Sequence, residues 1–333
     1  MREQQTKESL GIDISKLTID AALHHRGLHE QFANNRSGFK DMLKWLSKLG
    51  VVTDGLLICF EHTGWYCLKL SHFLHGLDIA YHCANPIDIK RSSGLKRGKS
   101  DKADAFEIAR YAWLHREELD SSEPMSEQLI ELQRMMAFRT QLVKQMTALK
   151  NQKSGMKVLS DSPSTDFSIR LIDQTLHHLK GQLKKLEKQM QELIKADRKM
   201  QSNFELSRTV KGVGPVLAMQ MLLHTHNYSR FEAWRQFSSY CGLVPYEHSS
   251  GTSINRRPRT HAISDRGMKS LLSLSALSAI RCDPELKAYY QKRVEEGKEK
   301  MVVLNIIRNK IVSRVFATVK RGTPFVPLSK HAA

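Results

Sequence analysis

A chain of 333 residues with 41% hydrophobic content has room for two or three domains and a sizeable buried core, and none of its apolar runs reaches the length of a membrane-spanning helix. Fifty-two Lys and Arg against 34 Asp and Glu give a formal charge of +18 and a pI near 9.7, which points to a polyanionic partner rather than a membrane. The five cysteines (59, 67, 83, 241, 282) are odd in number and show no CxxC spacing, so a reducing compartment is expected and a zinc site is not.

The first stretch, MREQQTKESLGID, lacks the apolar core of a signal peptide, and a cytoplasmic chain is expected. LGIDIS, LTIDAALH and the stretch around HEQFAN read as three consecutive strands. Asn35 to Leu49 reads as a helix, because Phe39, Met42, Leu43, Trp45 and Leu46 form a helical apolar stripe. GLLICF is continuously apolar, as a central strand buried on both faces should be. A helix follows in WYCLKLSHFLHG, then a strand in DIAYHCAN. Asn85-Pro86 breaks the pattern and opens a basic loop, and a last helix runs from about Asp101 to His115. The order βββαβαβα is that of a ribonuclease-H type of fold.

Beyond residue 118 glutamine, lysine and glutamate rise. A first long helix, roughly Ser126 to Lys157, carries Leu129, Leu132, Met135, Met136, Leu142, Met146 and Leu149. SDSPSTD, with Pro163, reads as a turn. Leu176, Leu179, Leu183, Leu186, Met190 and Leu193 then repeat at spacings of 3, 4, 3, 4 and 3, a coiled-coil seam. From Thr209 the chain is globular again. VKGVGPVLAMQML resembles the glycine turn of a helix-hairpin-helix, and a Ser-, Gly- and Arg-rich loop follows between two apolar helices. The expected class is α/β plus α: a ribonuclease-H-like domain over 1–118, an antiparallel coiled coil over 119–207 for homo-oligomeric assembly (dimer or tetramer), and a mainly helical domain over 208–333.

Four acids stand where such an α/β domain would bring carboxylates together. Asp13 lies in the first strand, Glu61 ends the buried one, and Asp101 and Asp104 share a helix face. In so basic a chain, clustered acids point to a divalent cation, here Mg²⁺, and to phosphodiester chemistry. A helix-start charge accounts equally well for Asp101 alone, and a turn aspartate for Asp13 alone. Lys90, Arg91, Lys96, Arg97, Lys99 and Lys102 crowd the loop entering that helix, where they could hold a nucleic-acid backbone. His62 reads as a local hydrogen-bonder. In SSGTSINRRPRTH, hydroxyls stand beside a glycine and several arginines; spacing alone favours an ordinary turn.

GIDISK, the glutamate of FEHTG, KSDKADAFEIARYA and GLVPYEHSSG follow one another in the order found in DEDD-type insertion-sequence transposases. Those proteins are similar to the pilin-gene-inversion recombinases and include the bridge-RNA-guided recombinases. The resemblance implies that Asp13, Glu61, Asp101 and Asp104 bind Mg²⁺ in the first domain. It also implies that Ser250, five residues after Pro245 and before Gly251, is the nucleophile of a C-terminal transposase domain, with Ser249 adjacent. Ser250 would form a covalent link to DNA while the acids hold metal at the same phosphate. A noncoding guide RNA would pair with target and donor DNA, and the protein would be nucleoid-associated during transposition. Arg256, Arg257 and Arg259 would hold phosphate, although the segment after the serine is richer in arginine and poorer in glycine than the family pattern. A Holliday-junction-resolvase-like endonuclease using water would need the acids but not Ser250. A non-catalytic nucleic-acid-binding protein would need neither.

Overall fold

The computed structural model describes residues 7–92, 94, 100–159, 163–250, 254–260 and 263–327, with side chains described at all of these except 159, 163–165, 248–250 and 254–257. The chain divides into two compact units, Met1–Met125 and Ser126–Ala333.

The first unit is a mixed five-stranded sheet in the order β3-β2-β1-β4-β5. Strands β1 (Glu8–Ile14), β2 (Thr18–Leu23) and β3 (Leu28–Ala33) form an antiparallel meander, whereas β1 runs parallel to β4 (Leu56–Glu61) and β4 parallel to β5 (Tyr81–Ala84). Alternation along β1 sorts its side chains between two faces. Leu10, Ile12 and Ile14 enter a core with Phe39, Met42 and Leu46 of α1 (Arg36–Lys48) and Leu70 and Leu74 of α2 (Leu68–His75). Ser9, Gly11 and Asp13 face the other way, toward α4. The segment after Asn85-Pro86, expected as a loop, begins with a short helix, α3 (Pro86–Ser92). Pro86 sits where a first helical residue lacks an intrahelical N–H partner, so the break initiates a helix instead of ending order.

Helix α4 (Asp101–Leu114) is started by Ser100, whose side chain accepts from the Ala103 N–H at 3.2 Å. It lies directly on β1. A Cβ added at Gly11 would stand 2.1 Å from the Ala109 nitrogen and 2.3 Å from the Ala105 oxygen. Ser9 Oγ fastens the contact, donating to the Ala109 carbonyl at 2.8 Å.

In the second unit, α5 (Glu127–Leu159) and α6 (Pro163–Ala196) pack as an antiparallel helix pair. Ion pairs Arg139–Glu187 and Lys153–Asp173 fix the direction, since one partner number rises as the other falls. Leu176, Leu179 and Leu183 of the leucine repeat pack with Met146 and Leu149, so that part of the seam is occupied within the chain. Pro163, expected in a turn, is the first residue of α6; residues 160–162 of that turn lie outside the described set. Helices α7 (Arg198–Arg208), α8 (Pro215–His224), α9 (Trp234–Tyr240), α10 (Arg266–Cys282), α11 (Pro284–Glu295) and α12 (Lys300–Arg321) make up most of the remainder. The glycine turn before α8 packs on α10: at Gly212 (φ +90°) an added Cβ would meet the Ala279 Cβ at 2.7 Å. Much of the Ser-rich segment, expected as a loop, is strand, and residues 251–253 within it lie outside the described set. It forms a two-stranded antiparallel hairpin, β6 (Tyr246–Ser250) and β7 (Ile254–Arg259), with a register irregularity between Tyr246 and His248. Strand pairing there overrides residue types that locally favour turns.

Candidate active site

Because β1 and β4 are parallel neighbours with Ile12 paired to Phe60, Asp13 and Glu61 emerge side by side at the same sheet edge. Ala109 and Ala105 of α4 lie over Gly11, so the start of α4 reaches the level of Asp13 and delivers Asp101 and Asp104 there. Asp13 feels all of this. Its carboxyl is raised from 3.8 to about 6, first by burial, then by the negative charges of Asp101, Asp104 and Glu61, and despite a hydrogen bond from the Ile14 N–H. The four acids therefore converge electrostatically, although among the described residues no three His, Cys, Asp or Glu are arranged to hold a metal ion. The donor set itself, hard carboxylate oxygens around a half-buried aspartate, is of the kind that suits a hard divalent cation.

Sequence reasoning missed three residues around this edge. Asp20 pairs with Asp13 across β1 and β2, so the two share a face; it is buried and accepts from His29 Nε2 at 2.8 Å and Gln31 Nε2 at 3.0 Å. Its signal was the aspartate inside the apolar alternation of LTIDAALH. Asn34 is buried and donates from Nδ2 to the Ser15 carbonyl (2.8 Å) and the Tyr66 carbonyl (3.1 Å), tying the turn after Asp13 to the loop after Glu61. Cys67, in that loop, donates from Sγ to the Gly64 carbonyl at 3.3 Å, and its interaction with the Cys83 thiol lowers Cys67 and raises Cys83. Cys59 is fully buried, and burial pushes its thiol up to about 12, as suits a small core residue.

Of the expected backbone-binding cations, Lys90 and Arg91 are exposed at the end of α3 and Lys102 is exposed in the first turn of α4. Lys96, Arg97 and Lys99 lie outside the described residues. In the second unit, Ser250 is the last residue of β6 and pairs with Ile254. Its side chain, and those of Arg256 and Arg257, lie outside the described set, whereas Arg259 is exposed. The root of the hairpin is firmly held: Asn305 Nδ2 donates to the Leu243 carbonyl at 2.7 Å, and Tyr240 OH donates to Asp265 at 3.2 Å while meeting His224 Nδ1 at 2.9 Å. Burial lowers the His224 imidazole, against the pull of Asp265.

Acids that act on one another at a sheet edge, in a chain of formal charge +18, are compatible with chemistry on a polyanion such as nucleic acid. Comparison with known proteins narrows this to the transposases. A DEDD transposase model of the IS110 type matches residues 10–156, and a model described as the transposase IS116/IS110/IS902 family matches residues 205–291. The chain belongs to this family of insertion-sequence transposases. It is 27% identical over 329 residues to the pilin gene-inverting proteins of Moraxella bovis and Moraxella lacunata, covering 96% of this chain and 98% of each relative. A putative transposase of Sinorhizobium fredii is 25% identical over 297 residues, 82% of this chain and 72% of that protein. No helix among the described residues is long and apolar enough to cross a membrane.

Proposed function

We propose that this transposase cuts and rejoins DNA with Ser250 as nucleophile and Mg²⁺ held by Asp13, Glu61, Asp101 and Asp104, guided by a noncoding RNA that pairs with target and donor DNA. The convergence of three carboxylates on Asp13 carries this reading. Gathering negative charge at one sheet edge raises the cost of ionising Asp13, and a bound cation relieves that cost. A ribonuclease-H-like assignment of residues 1–118 is supported by the β3-β2-β1-β4-β5 order with its antiparallel meander and parallel β4 and β5.

When bound, Mg²⁺ would polarise the phosphoryl group under attack. The Ser250 hydroxyl would form an Oγ–P bond as one P–O bond to the sugar breaks, its proton leaving and the departing sugar oxygen taking one up. The count of phosphoester bonds is unchanged, so reversal onto a new strand end completes an exchange without outside energy. Arg256, Arg257 and Arg259 in the hairpin, and Lys90, Arg91, Lys96, Arg97, Lys99 and Lys102 before α4, would hold backbone phosphates of DNA or guide RNA. Residues 119–207 would mediate homo-oligomeric assembly. Val158, Phe167 and Leu171, apolar and exposed toward the α5–α6 turn, support that role. Residues 208–333 would be the serine-bearing transposase domain.

The test is substitution. Ser250→Ala should abolish recombination and the covalent protein–DNA adduct while the chain still folds; cleavage persisting in that variant without adduct would assign the chemistry to water instead. Asp13→Ala should remove metal-dependent cleavage. Purified protein should carry a specific RNA, and full-rate recombination by RNA-free protein would reject guidance.

A further inference from the structure

The root of the β6–β7 hairpin holds two cations that the reaction described above does not use. Arg308 of α12 is 5% exposed, and its Nε is buried with no hydrogen-bond partner. Its Nη1 donates to Asn305 Oδ1 at 3.3 Å, and Asn305 in turn holds the Leu243 carbonyl just before β6. Lys269 of α10 arrives from the other side. Its chain passes Gly242, whose added Cβ would stand 4.0 Å from Lys269 Cδ, and its Nζ donates to Thr260 Oγ1, the residue after β7, at 3.4 Å. Gly242 and Leu243 are adjacent, so the Lys269 stem and, through Asn305, Arg308 both reach the same stretch of backbone.

Neither cation forms an ion pair among the described residues. Burial holds Arg308 below its ordinary value, and burial and then the charge of Arg308 hold Lys269 below its own. Burying a guanidinium without a counter-ion is unfavourable, and a neighbouring ammonium adds to the cost. A structural arginine is ordinarily saturated by carboxylates or carbonyls; Arg308 instead has a buried Nε without a partner, and Lys269, whose charge acts on it, carries the Thr260 hydroxyl. Guanidinium, ammonium and hydroxyl together match the oxygens of a tetrahedral monoanion better than those of a flat carboxylate alone.

We propose that Arg308 and Lys269 form a binding site for one backbone phosphate of the nucleic-acid strand engaged by the β6–β7 hairpin. The site rests on the reading of that hairpin as the strand-cutting element, and it adds a fixed anchor beneath it. Asn305 is a positioning residue, joining the guanidinium to the hairpin root.

The test uses the full-length protein and fluorescence anisotropy with three labelled probes: a DNA duplex, a DNA single strand and an RNA of the same sequence. Lys269→Gln should weaken binding of at least one probe by on the order of tenfold near 0.1 M salt, with the slope of log K against log salt smaller by about one. Lys269→Arg should restore both. The melting temperature of Lys269→Gln should hold or rise, because a repelling charge beside Arg308 is removed. The affected probe identifies the strand as DNA or RNA. Unchanged affinity and slope on all three probes overturns the site, and so does weaker binding accompanied by a fall in melting temperature. Ser250→Ala should bind all probes normally. If that variant still recombines while Lys269→Gln loses its slope, the serine reading falls and the phosphate site stands.

Discussion

Gly11 lies so close beneath Ala109 that the two backbones are in contact: a side chain at Gly11 would begin 2.1 Å from the Ala109 amide nitrogen. This approach sets the height of α4 above β1, and with it the distance from Asp101 and Asp104 to Asp13. Gly11→Ala should therefore cost about 1–3 kcal/mol through forced displacement of α4, since the obstacle is backbone and cannot rotate away. Metal-dependent cleavage should fall further than the loss of folded protein accounts for, because the acids separate. Urea denaturation and cleavage assayed on the same preparation check both; a variant as stable and active as the parent would show that α4 tolerates lifting.

Asn34 supplies a second constraint on the same edge. One buried amide holds the carbonyls of Ser15 and Tyr66, two residues after Asp13 and five after Glu61. Asn34→Asp keeps the shape but turns a donor into a carboxylate facing two carbonyl oxygens. A destabilisation of about 1–3 kcal/mol is expected from the lost hydrogen bonds and the buried acceptors left unpaired. Asn34→Asp should recover part of that stability as pH falls and its carboxyl is protonated. Thermal melts at pH 4.5 and 7.5 distinguish this from simple loss of packing, which would show the same deficit at both.

Much of the first unit was legible from residue pattern. The apolar run of β4 and the stripe of α1 depend on burial of one kind of side chain along one element, and periodicity reports that directly. Asp13, Glu61, Asp101 and Asp104 could be proposed because each stands at or near an end of a regular element. The β6–β7 hairpin was not legible, because its strands are written in Ser, Asn, Arg and Pro. Asp20 and Arg308 escaped for another reason. Polar residues inside apolar periods look like imperfections until tertiary packing shows what surrounds them. Lys269 and Arg308 are 39 residues apart and meet only through the packing of α10 on α12.

Asp13 makes a pH prediction with a definite sign. In the folded chain its carboxyl titrates near 6, against 3.8 ordinarily, so between those values the folded state binds a proton that the unfolded state has released. Stability of the metal-free protein should accordingly fall as pH rises from about 4 to 6. Because Asp13 is only half-buried, solvent screening reduces the contribution to on the order of 1 kcal/mol. Asp13→Asn should lack this component and be the more stable protein at pH 7. The difference between the two urea midpoints, measured at pH 4 and pH 7, isolates it from every other titrating group. An equal difference at both pH values would show that neither burial nor the neighbouring acids raise the Asp13 carboxyl in the folded chain.

Arg314 fixes the helix that carries Asn305 and Arg308. Its Nη1 donates to Asp283 at 2.7 Å and its Nη2 to Glu285 at 2.6 Å, while its guanidinium lies 4.9 Å from the Phe325 ring centroid. Asp283 is buried and also caps α11, accepting from the N–H groups of Glu285 and Leu286. Removing the guanidinium leaves that carboxylate buried with its main-chain donors alone. Arg314→Met should cost about 3 kcal/mol, near the low end for breaking a buried pair because the cap hydrogen bonds survive. The double change Arg314→Met with Asp283→Asn removes the stranded charge and keeps a capping side chain, so it should recover a substantial part of the loss. A double variant no more stable than Arg314→Met alone would mean that Arg314 acts through its packing on Phe325 rather than through its charge.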